Sequence, residues 1–234
     1  MGLSTASGGR VLEKTGKILL VGPPNVGKSV FFSRLTNIHV ISSNYTGTTV
    51  SFMEGTYRAG KARYTIVDVP GTYSLMATSP AEEVAVSFLR EGPDAVLFIL
   101  NAADLEGSVK LALEVMAYQV PIVFALNLVD VAERKGIHVS HAVLERELGA
   151  PVIPTVAVRG RGIDALRRAL DALLEKKRAV TSYFTGLEGI VGSQSALWER
   201  ARAIAKRAAS RADRRISFLD RLGEAMLRPW PGVP

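Results

Sequence analysis

The chain has no cysteine among its 234 residues. That excludes a disulfide framework and any metal site built on thiolates, and it suits a reducing compartment. Histidine is almost as scarce. His39, His138 and His141 show no metal-ligand spacing with carboxylates and read as surface residues. No apolar stretch approaches the ~18 residues of a membrane span. The polar, small-residue N-terminus from Met1 to Lys17 has no apolar signal-peptide core. The chain as given is therefore expected to be soluble.

Apolar residues make up 47% of the chain, enough to bury a sizeable core and to argue against disorder. The length suits one large domain, or one domain with a small second one. The net charge of +7 is unevenly placed. From Lys176 onward there are twelve Lys/Arg against five Asp/Glu, and before it seventeen against seventeen. A basic tail can serve nucleic acid, an anionic membrane surface, or only a solvated helix face.

Short apolar runs alternate with helical patterns. Strands are expected at Lys17–Gly22, Val50–Arg58, Arg63–Val69, Ala95–Leu100, Pro121–Leu126 and Val152–Thr155. The second and third form a hairpin through Ala59-Gly60-Lys61. Helices are expected at Lys28–Leu35, Ala81–Leu89 behind Ser79-Pro80, Ser108–Tyr118, His141–Leu148 and Ile163–Leu174. Strands apolar on both faces and separated by helices predict an α/β fold. Its sheet would be mostly parallel and six-stranded, with one antiparallel edge strand. After Lys176 no strand is expected. Leu197–Ala209 and Ile216–Leu227 read as helices, with a connection or poorer helix at Tyr183–Ser195. The predicted division is 1–176 for the α/β domain and 177–234 for a small all-helical one.

The segment Gly22, Pro23, Pro24, Asn25, Val26, Gly27, Lys28, Ser29, Val30 follows a strand and opens a helix, as a phosphate-binding P-loop requires. Backbone N–H groups there face phosphate. Lys28 would reach the β- and γ-phosphates, and the Ser29 hydroxyl would bind Mg²⁺. Asp68-Val69-Pro70-Gly71 ends the third strand; Asp68 would hold Mg²⁺ through water, and the Gly71 N–H would meet the γ-phosphate. Between them lies a candidate switch, Ser43 to Val50. Thr49 is the expected metal and γ-phosphate ligand, with Thr48 as the alternative.

Asn127-Leu128-Val129-Asp130 follows the Pro121–Leu126 strand. Asp130 can accept from both guanine donors, N1–H and the 2-amino group, which adenine does not offer. Asn127 would brace the loops and the base. Leu128 stands where Lys is common, so weaker binding and faster release are expected. Val156-Ala157 occupies the place of a usual Ser-Ala pair; the Ala157 N–H could reach guanine O6, while Val156 removes a supporting hydroxyl.

Ras-type proteins carry a Gln after the DxxG glycine to orient the attacking water. Here that position is Thr72, followed by Tyr73, so turnover should be slow. The Asn25 carboxamide, with carbonyls around Gly47, could ligate a monovalent cation that offsets charge in the transition state. Lys28, Thr49 and Asn25 are thus the expected catalytic residues, with GTP/GDP, Mg²⁺ and a monovalent cation as cofactors.

GPPNVGKS, NYTGTTV, DVPGTYSL with SPAEEVA, ALNLVDVAERKGI and GAPVIPT…GRGIDAL together resemble the cytosolic G domain of the bacterial ferrous iron transport protein B (FeoB) family. The match spans about Ile18 to Leu174. The resemblance implies a P-loop GTPase with a GDI-like helical domain. It also implies a GTP-gated or GTP-driven role in Fe²⁺ uptake at the cytoplasmic face of the inner membrane. Potassium-stimulated relatives carry Asn at the position of Asn25. The run from Asp220 to Pro234 looks like the family's approach to its membrane region, so that region, a small accessory protein and an oligomer enter as expected partners. Two other readings stay open. One is a ribosome- or tRNA-associated GTPase with its tail on RNA, although the tail has no interleaved aromatics. The other is a GTP-binding switch without turnover.

Overall fold

The computed structural model describes residues 15–45, 48–176 and 193–211. A seven-stranded sheet forms its centre, in the order β2-β3-β4-β1-β5-β6-β8. The strands are β1 (Thr15–Val21), β2 (Asn37–Asn44), β3 (Ser51–Ala59), β4 (Ala62–Asp68), β5 (Ala95–Asn101), β6 (Ile122–Asn127) and β8 (Val152–Pro154). The pairs β4–β1, β1–β5, β5–β6 and β6–β8 are parallel. Only β3 runs against its neighbours, pairing antiparallel with both β4 and β2.

The mostly parallel sheet matches the sequence reading, but the count is seven strands rather than six. The added strand, β2, covers β3 at the edge and takes in Ser43 and Asn44, read above as the start of a loop. It follows α1 (Lys28–Leu35) with only Thr36 between, so no turn residues announce it. The hairpin β3–β4 turns at Gly60, whose φ of +56° is left-handed and easy for a residue without Cβ.

The period-two alternation of each strand builds two cores. Leu19 and Val21, with Val96, Phe98 and Leu100, and Phe124 and Leu126, face α2 (Pro80–Arg90), α3 (Leu105–Met116) and α5 (His141–Leu148). Ile18 and Leu20, with Leu97 and Ile99, and Val123 and Ala125, face α1 and α6 (Ile163–Lys176). Both faces of the central strands are dry, which is why they read as near-continuous apolar runs. Helix α2 begins with a capping box: Ser79 Oγ accepts from the Glu82 N–H, and Glu82 accepts from the Ser79 N–H.

Beyond residue 192, α7 (Gln194–Ala208) lies on α3. Its buried stripe of Leu197, Ala201, Ile204 and Ala208 has helical spacing and joins the core on that side of the sheet. Arg202 pairs with Glu106 of α3, and Arg200 and Arg207 with Glu147 of α5. The expectation of no strand after Lys176 is corrected by β9 (Ala209–Arg211), which pairs antiparallel with β7 (Ile137–Val139). Three residues are too few for a sequence pattern; the pairing exists because α7 delivers the chain to β7. The expected helix Ile216–Leu227 and most of Tyr183–Ser195 lie outside the described residues. Among the described residues, no helix is long and apolar enough to cross a membrane.

Candidate functional site

The site assembles at the C-terminal ends of β1, β4, β6 and β8. After β1 the chain turns through Gly22 to Gly27 and enters α1 at Lys28. Gly27 sits at φ +91°, and a Cβ there would lie 3.0 Å from Asn127 Nδ2, so conformation and close approach both call for glycine. Asn25 also has a left-handed φ, 61°, with its side chain exposed, and Val26 is buried beneath the loop. No side chain caps α1, so its N-terminal dipole is open toward the loop. Ser29 is exposed in the first turn, and Pro23 is buried behind the loop.

Opposite the loop, β4 ends at Asp68. Its Oδ1 lies 3.5 Å from Lys28 Nζ, an ion pair too long for a hydrogen bond, and that buried oxygen has no hydrogen-bond partner. Burial pushes the Asp68 carboxyl above the usual carboxylate range, and the Lys28 ammonium opposes this only partly. A buried carboxylate oxygen without a donor is costly, and a hydrated divalent cation would satisfy it. Asp68, Ser29 and Thr49 each carry the kind of hard oxygen donor that Mg²⁺ prefers. Gly71 closes this side: a Cβ there would come within 3.1 Å of Pro24 Cα and 3.4 Å of Lys28 Nζ.

The two threonines of the candidate switch differ. The Thr48 hydroxyl donates to the Tyr45 carbonyl at 3.1 Å and accepts from the Val50 N–H at 3.2 Å, closing a local turn. Thr49 is exposed. Gly47 lies outside the described residues. Thr72 is buried at 5% exposure whereas Tyr73 is 65% exposed, so the position that holds Gln in Ras-type proteins points into the protein.

On the base side Asn127 is the knot. Its Nδ2 donates to the Val26 carbonyl at 2.9 Å, and its Oδ1 accepts from the Ala157 N–H at 3.0 Å and the Thr155 hydroxyl at 3.3 Å. One buried side chain thus ties the P-loop to the 155–157 turn. The Ala157 N–H expected for guanine O6 is engaged by Asn127 here. Leu128 adopts a left-handed φ of 62° as it caps α4 (Val129–Arg134), where an ordinary residue stores about 1–2 kcal/mol of strain. Asp130 follows in the first turn, with Arg134 Nη2 3.7 Å from its carboxylate. Val156 is buried, and its N–H donates to the Arg161 carbonyl.

Sequence reading missed three contributors. Thr155 supports Asn127 from below. Arg34, in the last turn of α1, donates to the Val158 carbonyl at 2.8 Å. On α3, Lys110 and Glu114 form a buried pair at 2.7 Å. Glu114 accepts from the Leu75 N–H, the Ser74 hydroxyl and the Gln194 amide, so it joins the segment after Gly71 to α7. An i,i+4 Lys–Glu pair on a helix looks in sequence like a solvated face, and nothing local marks it as buried. Among the described residues no group of three or more His, Asp or Glu could hold a metal.

A P-loop at the first strand, an acidic strand end facing its lysine and an NxxD turn across the sheet define the class: a P-loop G domain of the GTPase fold. The family model described as ferrous iron transport protein B matches residues 16–170, and the chain belongs to that family. The Fe(2+) transporter FeoB of Shigella flexneri is 38% identical over 157 residues, which is 65% of this chain and 20% of that protein. The chain therefore spans about a fifth of the length of the curated relatives it matches. The solved G domain of the T. maritima FeoB iron transporter is 31% identical at a TM-score of 0.63, covering 68% of this chain and 98% of that one. The cytosolic domain of that transporter in its GMPPNP form aligns at a TM-score of 0.71 and 21% identity, over 83% of this chain and 99% of that one, a likeness of fold.

Proposed function

We propose that this chain binds GTP and GDP with Mg²⁺, hydrolyses GTP slowly, and serves as the nucleotide-dependent cytosolic part of a ferrous iron transporter. The observation that carries the reading is the Lys28–Asp68 pair, with its unpartnered buried oxygen, set across from the uncapped start of α1. T. maritima relatives of the same fold have been solved in GDP and GMPPNP forms.

Lys28 and the α1 N-terminus bind the phosphates. Asp68, Ser29 and Thr49 would hold Mg²⁺, which when bound neutralises phosphate charge. Gly71 offers its N–H to the γ-phosphate because no side chain keeps it from the loop. Asn127 holds the phosphate and base halves in register, and Asp130 selects guanine. Buried Thr72 cannot position the attacking water as Gln does, which supports slow intrinsic turnover. The exposed Asn25 carboxamide is an oxygen donor at the mouth of the loop, a fitting partner for K⁺ beside the phosphates. GTP turnover in KCl against NaCl at equal ionic strength tests this. Potassium should accelerate wild type and leave Asn25→Ala slow. Because Asn25 is left-handed, Asn25→Gly is the control that removes the carboxamide without strain. Equal wild-type rates in both salts would remove the ion from the mechanism.

We further propose the division into a G domain, 1–176, and a GDI-like domain, 177–234, whose described residues are helical apart from β9. The remaining partners follow from the family: a membrane region of the same full-length protein, an accessory protein, self-association, and a position at the cytoplasmic face of the inner membrane. An RNA role is disfavoured because the chain matches the ferrous iron transport family and its basic tail has no interleaved aromatics. The deciding experiment is GDP and ADP binding by wild type and Asp130→Ala. Wild type should bind GDP and not ADP, and the variant should lose most of its GDP affinity. Unchanged GDP affinity in the variant would remove Asp130 from the site.

A further inference from the structure

The loop from Val156 to Gly162 carries the backbone that would face guanine, and its support is unusual. It is closed within itself by bonds from the Val156 N–H to the Arg161 carbonyl and from the Gly160 N–H to the Ala157 carbonyl. Val156 provides no hydroxyl to brace it. Two side chains hold it instead. Asn127 grips the Ala157 N–H from the buried side, and Arg34 grips the Val158 carbonyl from the exposed side at 2.8 Å. The Arg34 guanidinium also lies over the turn: a Cβ on Gly160 would come 3.2 Å from Nη1 and 3.6 Å from Cζ.

Arg34 is itself held. Its carbonyl accepts from Arg167 Nη2 of α6, and the Arg167 guanidinium sits 5.9 Å from the Tyr57 ring centroid. Tyr57 donates to Asp171 on the same helix at 2.7 Å. The C-terminal end of α1 is thereby fixed to α6, and Arg34 passes that fixity to the guanine-side loop. One eight-residue helix then serves both ends of a nucleotide. Its first turn carries Lys28 and Ser29, and its last turn carries the tether.

We propose that Arg34 is a positioning residue that sets the lifetime of bound guanine nucleotide by clamping the Val156–Gly162 loop. It stands in the last turn of α1, at the opposite end from Lys28 and Ser29, so it acts on release and not on cleavage. The inference rests on the guanine-nucleotide reading above. A charged donor on a partly exposed carbonyl contributes about 1 kcal/mol net, so its loss should speed release about fivefold.

The test is release of N-methylanthraniloyl-GDP, chased with excess GDP, from wild type, Arg34→Ala and Arg34→Lys. Single-turnover GTP cleavage and thermal melting are measured beside it. Arg34→Ala should release about fivefold faster with unchanged single-turnover cleavage, and Arg34→Lys, which keeps a donor, should fall between. If Arg34→Ala does not fold, Arg34→Met, which keeps the aliphatic stem and has no donor, carries the same comparison against Arg34→Lys, with Met the faster. Wild-type release in the alanine variant overturns the role of Arg34. So does a matched fall in cleavage and melting without lysine rescue, which marks general loosening of α1. If wild type binds GDP and the variants release it no faster, the role of Arg34 falls and the guanine-nucleotide reading stands. A wild-type chain that binds no GDP removes both.

Discussion

Replacing Glu114 by alanine should damage this protein far from its P-loop. The carboxylate is one of the most heavily used groups on α3. Lys110 lies 2.7 Å from Oε1, the Leu75 N–H donates to Oε2 at 3.0 Å, and the Gln194 amide donates to Oε1 at 3.1 Å. The side chains of Lys110 and Glu114 are only 4% and 6% exposed, so water cannot take over as partner. Truncation leaves the Lys110 ammonium in the interior without a counter-charge, held only by the Ser74 hydroxyl and the Trp198 ring, and breaking a buried pair this way costs ~3–5 kcal/mol. Against a typical total of ~5–15 kcal/mol, that is a large share of the stability. The Lys110→Met/Glu114→Leu double variant removes both charges and their desolvation, so it should recover part of the loss, while the Leu75 N–H and the Gln194 amide stay without their acceptor. Urea unfolding monitored by far-UV circular dichroism, on wild type, Lys110→Met, Glu114→Leu and the double variant, gives the four corners of the cycle. Amide exchange should also rise at Leu75 in the single variant, because its N–H loses its acceptor. A loss below about 1 kcal/mol for Glu114→Ala, or a double variant weaker than the single, would refute the argument.

Thr49→Ala should spare GDP affinity and slow hydrolysis. Thr48→Ala should act through the Tyr45–Val50 turn that its hydroxyl closes, and affinity and single-turnover assays on both variants separate the two. Reversed phenotypes would move the switch ligand to Thr48. The Glu82 carboxyl is held below its ordinary range chiefly by the Thr78 hydroxyl, with help from the Thr78 and Ser79 N–H groups. A depressed carboxyl binds fewer protons folded than unfolded. Its contribution is therefore present above the ordinary carboxylate pKa and lost as pH falls through the lowered value. The melting gap between wild type and Glu82→Gln should accordingly narrow on acidification, and a gap independent of pH would count against the capping role.

Much of the catalytic frame was legible in one dimension because its geometry is local. A strand, a glycine-spaced turn and a helix start are consecutive in the chain, so Gly22 to Ser29 announces a P-loop without reference to anything distant. The apolar runs of β1, β5 and β6 read as two-sided strands because each residue meets a core on its own face. Asp68 and Asp130 stand out in the sequence by their order behind strands, not by their contacts. What the three-dimensional arrangement alone decided are the partnerships across the chain. Strand β2 exists because β3 offers an edge to pair with. Asn127 bridges to Val26 across 101 positions, and Arg34 to Val158 across 124. Lys110 and Glu114 are buried because α7 lies on a helix face that, by its residues alone, belongs in water. Periodicity reports which side of an element is dry, but the partner of a polar group is chosen only when distant segments meet, since hydrogen bonds and ion pairs act over a few ångströms of space and are indifferent to separation along the chain.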